Sequence, residues 1–217
     1  MKQYRKMLTG VILLSAFVVW TIMIRAIDVR NAGVNGTEVG FATLNVWFHQ
    51  VTGVHMILYT ISDWLGLVPI VICMIFGMLG LIQLSKRKSL LKVDRDIVLL
   101  GIYYIIVIIC YLLFEMIPIN YRPVLIDGSL EASYPSSTTL LVLSVMPTLK
   151  FQADRRIASP RIKNVICIFT IAFSLFMVIC RVISGVHWLT DIIGSVLLSS
   201  GLYMIYRCAA TGNTEQQ

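Results

Sequence analysis

The chain has 217 residues, 58% of them hydrophobic and only 13% charged, with mean hydropathy +0.84. That composition excludes an ordinary soluble domain and points to a polytopic membrane protein. The net charge of +7 suggests nucleic acid only until its placement is read along the chain.

Six apolar segments are long enough to cross a bilayer, each needing about 20 residues. They lie near 7–27, 56–84, 97–117, 136–153, 163–183 and 187–207. Their length and periodicity predict helices, because a barrel would show alternating segments of about ten residues. The expected fold is therefore all-α, a six-transmembrane helix bundle forming one membrane domain over residues 1–217. The first apolar run follows a basic start but is long for a signal peptide and lacks a nearby small-x-small cleavage site, so it reads as a retained span. Between spans one and two, Val39 to Val54 is apolar but carries Asn45, His49 and Gln50. It predicts a helix lying in the membrane interface, with Trp47 and Trp64 as anchors. The second span is long enough to tilt, and Pro69 and Pro147 are expected to kink their spans.

Fourteen of the eighteen Lys and Arg residues fall before the first span, at 86–95, at 150–163 and at Arg207. This positive-inside pattern places both termini in the cytoplasm and explains the basic runs without nucleic acid. Residues 28–55, 118–135 and 184–186 then face outward, and 85–96 and 154–162 inward. The expected location is a bacterial-type plasma membrane. The five cysteines sit in or beside apolar spans with no C-x-x-C, which predicts neither a disulfide framework nor a zinc site.

The chemistry concentrates in Arg181-Val-Ile-Ser-Gly-Val-His187-Trp-Leu-Thr-Asp191. Ionisable residues at a membrane span are costly and need a reason. His187 and Asp191 are four apart, so on a helix they share a face where the carboxylate can orient the imidazole. Arg181 offers forked donors suited to phosphate oxygens. A positioned His, an orienting Asp and a phosphate-binding Arg form a phosphoryl-transfer site with a histidine nucleophile. The topology adds Arg122 and Pro135 to Thr138 to the same outer side.

These residues resemble the type-2 phosphatidic acid phosphatase superfamily, which includes undecaprenyl diphosphate phosphatases and shows the blocks K-x6-R-P, P-S-G-H and S-R-x5-H-x3-D. The third block is present as Cys180-Arg181, then His187 and Asp191, with Cys180 for the leading Ser. The first ends in Arg122-Pro123 but has Glu115 at the Lys position. The second opens with Pro135-Ser136 but continues Ser137-Thr138 where the family has Gly-His. The resemblance implies a membrane lipid phosphatase or diphosphatase acting at the outer face through a phosphohistidine on His187. Asp191 would orient that histidine, and Arg122, Arg181, Ser136, Ser137 and Thr138 would bind the substrate phosphate. It implies no cofactor and no metal, and a phospholipid or polyprenyl phosphate as partner. Two other functions stay open: a head-group phosphotransferase on the same site, and a weak homologue that binds or moves phospholipid.

Thr138 stands where the family has the leaving-group acid, and threonine cannot supply that proton near neutral pH. A lipid monophosphate, leaving as an alkoxide, would lose about 10²–10⁴ in rate. A diphosphate leaves as a weakly basic phosphate and needs little protonation, which predicts a shift toward diphosphates. Glu115 has three open readings: a substitute acid when protonated, a contact for a cationic group, and an ion pair with Arg122, the last preferred. Asp63 is a possible pocket residue, with a polar cap near the interface the preferred reading. His49 and His55 show no metal-ligand spacing. Asp127, Glu131 and Tyr134 read as solvated loop residues.

Overall fold

The computed structural model describes residues 2–212. Met1 and residues 213–217, which the single-domain expectation includes, lie outside the described residues. Eight α-helices follow one another: α1 Lys2–Ala26, α2 Ala42–Thr52, α3 Met56–Leu65, α4 Leu67–Arg87, α5 Arg95–Met116, α6 Ser137–Arg156, α7 Pro160–Ile183 and α8 Leu189–Thr211. Among the described residues no strand forms; three isolated β-bridges occur in the loops. The chain is an all-helical membrane protein.

Five segments are long and apolar enough to cross a membrane: Gln3–Ala26, Met56–Arg87, Arg95–Met116, Pro160–Ile183 and Leu189–Thr211. The predicted span at 136–153 corresponds to α6, which does not meet that criterion. The reason is its position. Helix α6 packs against α4, α5, α7 and α8, and residues on every side of it are buried, from Thr139 and Leu140 to Gln152 and Ala153. A helix shielded by protein can carry Ser144, Thr148 and Gln152, because neighbours rather than lipid meet its polar groups. Tyr104 Oη and Thr148 Oγ1 are 2.7 Å apart, and Gln152 donates to Tyr206 Oη at 2.9 Å.

The second predicted span is interrupted at Gly66, which separates α3 from α4. Pro69 lacks the N–H that would bond the Leu65 carbonyl, so the α-helical ladder is broken at that point. The interruption lies one turn before the proline expected to kink the span. Gly66 N–H is shared between the Ser62 carbonyl, the ordinary helical acceptor, and the Asp63 carbonyl, both at 3.0 Å.

Helix α1 runs along α8. The close approach depends on small residues: a Cβ at Gly201 would fall within 3 Å of the Leu14 side chain, and one at Gly10 would meet Ile205. Between them the core is aromatic. The Tyr134 ring stacks on Phe17 at 6.0 Å and meets Phe114 edge-on at 5.7 Å, and its hydroxyl lies 2.7 Å from Thr21 Oγ1. Tyr134 is 1% exposed, which corrects its reading as a solvated loop residue: the loop that carries it folds inward over the bundle. At the opposite end, Arg156 forks onto Asp96 at 2.7 and 3.1 Å, joining α6 to α5.

The α1–α8 contact yields a prediction. Gly201→Leu overpacks that interface and is expected to destabilise the fold by about 1–3 kcal/mol, read as a lower thermal midpoint in detergent. An unchanged midpoint would show that α1 and α8 can separate without loss.

Candidate active site

The site assembles at the end of the bundle where α5 and α7 finish and α6 and α8 begin. The loop 118–136 is its roof. It folds back as a hairpin, with bridges Tyr121–Ala132 and Ile126–Ser129. Its tip is Asp127-Gly128, both at positive φ (48° and 77°), the conformation that a two-residue Asp-Gly turn supplies. Asp127 therefore serves the turn. Ser133 N–H donates to the Asn120 carbonyl at 2.9 Å, and Arg122 N–H to the Glu131 carbonyl at 3.1 Å. The hairpin thus delivers Asn120, Arg122 and Ser133 to the helix ends as one unit.

His187 lies in the tight connection before α8, where Gly185 has φ +69° and sits against the backbone of Gly53 and Val54. The structure corrects the expectation that His187 and Asp191 share a helical face. Helix α8 starts at Leu189, and Asp191 is its third residue. Its carboxylate accepts the Trp188 N–H at 2.9 Å, which satisfies an orphan donor of the helix start. His187 Nδ1 is 4.0 Å from Asp191 Oδ2, beyond hydrogen-bond reach. Ser133 fills the gap. Its hydroxyl donates to Asp191 Oδ2 at 2.5 Å and lies 3.1 Å from His187 Nδ1. Its carbonyl also lies 3.1 Å from Nδ1. A carbonyl only accepts, so this network assigns the proton to Nδ1 and leaves a lone pair on Nε2. Asn120 donates to Asp191 Oδ1 at 3.3 Å. Ser133 and Asn120 were not singled out from sequence, and no motif marks them.

Nε2 is buried with no hydrogen-bond partner, and so are Nε and Nη1 of both Arg122 and Arg181. The three side chains come from the hairpin, α7 and the α7–α8 connection. Arg181 is 1% exposed, His187 5% and Arg122 8%. Arg122 Nε lies 3.1 Å from Glu131 Oε2 but lacks hydrogen-bond alignment. Both guanidiniums rest on the Tyr59 ring, at 4.9 Å for Arg181 and 5.7 Å for Arg122, a face that attracts cations. Tyr59 was also missed; its signal is its place one helical turn before Asp63.

Asp63 is more than the preferred polar cap, and stands where the alternative places it, against a candidate site residue. Its Oδ1 accepts from Arg181 Nη2 at 2.9 Å while the side chain stays 60% exposed. The same Nη2 donates to Thr138 Oγ1 at 2.5 Å. The Gly66 interruption brings α3 close enough, with Thr138 Cγ2 3.6 Å from where a Gly66 Cβ would sit. Ser136 is fully buried and its hydroxyl donates to Thr139 Oγ1 at 3.0 Å, so it is engaged within the first turn of α6. Ser137 and Thr138 open instead onto a cavity of about 380 Å³ lined by Asp63, Leu67, Ile70, Val107, Ile108 and Leu141. The preferred pairing of Glu115 with Arg122 does not form: Arg122 meets Glu131, and Glu115 is exposed at the end of α5. His49 packs on Trp188 at 5.6 Å and His55 bonds the Thr52 carbonyl at 2.9 Å; neither belongs to the site.

An imidazole lone pair and two buried guanidiniums with unused donors, held together by a roof hairpin, suit an oxyanion beside a nucleophile. The chain matches the PAP2 superfamily over residues 72–214. It belongs to that superfamily. Its fold is similar to the crystal structure of the first transmembrane PAP2 type phosphatidylglycerolphosphate phosphatase from Bacillus subtilis. The TM-score is 0.66, with 96% of each chain covered and 16% sequence identity. No curated protein matches the chain in sequence. The PAP2 match extends from α4 through α8, so it includes the hairpin, Arg181, His187 and Asp191 but not Tyr59 or Asp63.

Burial, with Arg122 and Arg181 nearby, holds the His187 pKa well below the ordinary 6.5. The imidazole is therefore neutral at neutral pH. Below pH 6.5 the unfolded chain takes up this proton and the folded chain does not, so the stability tied to His187 falls as pH falls. The thermal midpoint is expected to drop between pH 6.5 and 5, and to drop less in His187→Gln; equal slopes would refute the neutral imidazole. Ser133→Ala removes one of the three donors to the buried Asp191 carboxylate. It is expected to cost about 1–3 kcal/mol of stability, measured by denaturation in detergent.

Proposed function

We propose that this PAP2 protein hydrolyses a lipid diphosphate at the outer membrane face through a phosphohistidine on His187. The observation that carries the reading is the set of buried, unpartnered nitrogens on His187, Arg122 and Arg181. Unpaired polar groups at this depth cost free energy unless a ligand meets them. A phosphoryl group would accept from both guanidiniums and present phosphorus to Nε2. Ser133 and Asp191 keep the proton on Nδ1 and stabilise the positive charge that grows on the ring as the N–P bond forms.

The cavity of about 380 Å³ between α4, α5 and α6 supports entry of the lipid from the side. Its apolar lining fits a hydrocarbon chain, and its polar end carries Asp63, Ser137 and Thr138. Thr138 is hydrogen-bonded to Arg181 and offers no proton for an alkoxide. The leaving group is therefore a weakly basic phosphate, as a polyprenyl diphosphate provides. Of the predicted phosphate ligands, Arg122, Arg181 and Thr138 fit the role best, with Ser137 at the cavity edge; the Ser136 hydroxyl is engaged by Thr139.

The same reading sets the topology. Helix α6 is the sixth crossing, and α2 lies in the outer interface, tied to α8 by Asn45 Nδ2 and Thr190 Oγ1 at 3.0 Å. The basic segments 86–95 and 155–163 sit at the bundle end opposite the site. By the positive-inside rule that end and both termini are cytoplasmic, and the site faces outward across the plasma membrane. On this reading residues 2–212 act as one membrane domain.

Phosphate release by purified protein should be measured on undecaprenyl diphosphate beside phosphatidic acid. The diphosphate is expected to turn over at least about 10²-fold faster, with no release from either by His187→Ala. Equal rates on the two lipids would refute the leaving-group argument.

A further inference from the structure

Beside His187 lies a second, much smaller cavity of about 10 Å³, lined by Glu115, Tyr111, Ala132, Pro135, Ser137 and His187. That volume admits about one water molecule. It is separate in kind from the wide apolar cavity: it is narrow, and it places a carboxylate and the nucleophilic imidazole on one space. The Glu115 side chain has no ion-pair partner among the described residues. Its position gives the helix nothing. It is the penultimate residue of α5, and a negative charge in the last turn opposes the helix dipole. The chain nevertheless has a carboxylate there, on a water-sized space that His187 also lines.

We propose that Glu115 is the general base of the second half-reaction, holding and deprotonating the water that hydrolyses phosphohistidine187. The inference rests on the phosphohistidine reading and assigns that reading its missing proton acceptor. In the step, a water oxygen bonds to phosphorus and the Nε2–P bond breaks. The bonding pair returns to Nε2, and the water proton passes to the Glu115 carboxylate. Inorganic phosphate then leaves and Glu115 releases its proton to solvent. Ser133 and Asp191 hold Nδ1–H throughout, so the ring departs as the neutral imidazole that began the cycle. Thr138 cannot accept this proton in place of a histidine, and Asp63 is committed to Arg181 at 2.9 Å. Arg122 and Arg181 offset the phosphoryl charge, which lets a carboxylate approach. A space for one water also favours hydrolysis over transfer to a bulkier alcohol.

The test is rapid quench of the full chain with farnesyl diphosphate carrying ³²P at its terminal phosphate. The alkali-stable, acid-labile protein label is followed for wild type, Glu115→Gln and His187→Ala. Glu115→Gln is expected to form the label at the wild-type rate and to hold about ten times more of it at steady state. Its turnover should be about 10²-fold lower or less still, and formate added to Glu115→Ala should restore part of the rate. Lower turnover with slower labelling would overturn the proposal and place Glu115 before the intermediate, as a leaving-group acid. Unchanged turnover would overturn it outright. Label that persists in His187→Ala would instead refute the phosphohistidine reading, independently of Glu115.

Discussion

The constraint on which this molecule depends is the burial of two guanidiniums and an imidazole among membrane helices with part of their donor capacity unspent. A permanent cation so placed would be costly if left alone. Here the protein meets the cost only in part. Asp63 and Thr138 take one nitrogen of Arg181, Glu131 stands beside Arg122, and the Tyr59 ring faces both cations. What remains is buried and unpaired, as is Nε2 of His187. On the proposed function, stability and phosphate affinity are two sides of one arrangement, since every donor left free for substrate is a donor left unpaired in the resting protein.

The roof hairpin and the helix start at α8 solve the complementary problem of holding His187 still. The imidazole meets the carboxylate through a serine. Ser133 offers two acceptors to Nδ1 and one donor to Asp191, so its backbone and side chain fix the tautomer together. The carboxylate also serves α8 by accepting the Trp188 N–H. Movement of the hairpin would therefore disturb His187, Arg122 and the α8 cap at once. The aromatic stack of Tyr134 on Phe17 and Phe114 beneath the hairpin resists that movement.

The bundle was legible because lipid imposes a one-dimensional rule: long apolar runs separated by basic loops. Five crossings obey it. Helix α6 departs from it because protein, not lipid, surrounds it, and mean hydropathy carries no record of that. Arg181, His187 and Asp191 were legible as costly residues in an apolar stretch, and Arg122 through the outer-side topology and the Arg122-Pro123 block. Ser133, Asn120 and Tyr59 were not, because a serine, an amide and a tyrosine near a membrane surface are unremarkable until the fold closes on them. The weight of Asp63 was hard to read for a related reason: its partner Arg181 lies 118 positions away. The spacing of His187 and Asp191 misled in the opposite sense, since four residues suggest one helical face and the helix begins between them.

The departures from the family pattern gain meaning from their positions. Loss of the histidine at Thr138 alone would leave both half-reactions without a proton carrier. Loss of the lysine at Glu115 alone would weaken phosphate binding and put a negative charge near the site. Taken together they are complementary. The first half-reaction can proceed without an acid when the leaving group is itself a phosphate. The second still needs a base, because water is a poor nucleophile toward a phosphoryl group already held by arginines. On the proposed reading, a carboxylate on the water-sized cavity beside His187 supplies that base for a water that takes the in-line position vacated by the leaving group. One departure would then narrow the substrate to a diphosphate, and the other would restore the hydrolytic step for that substrate.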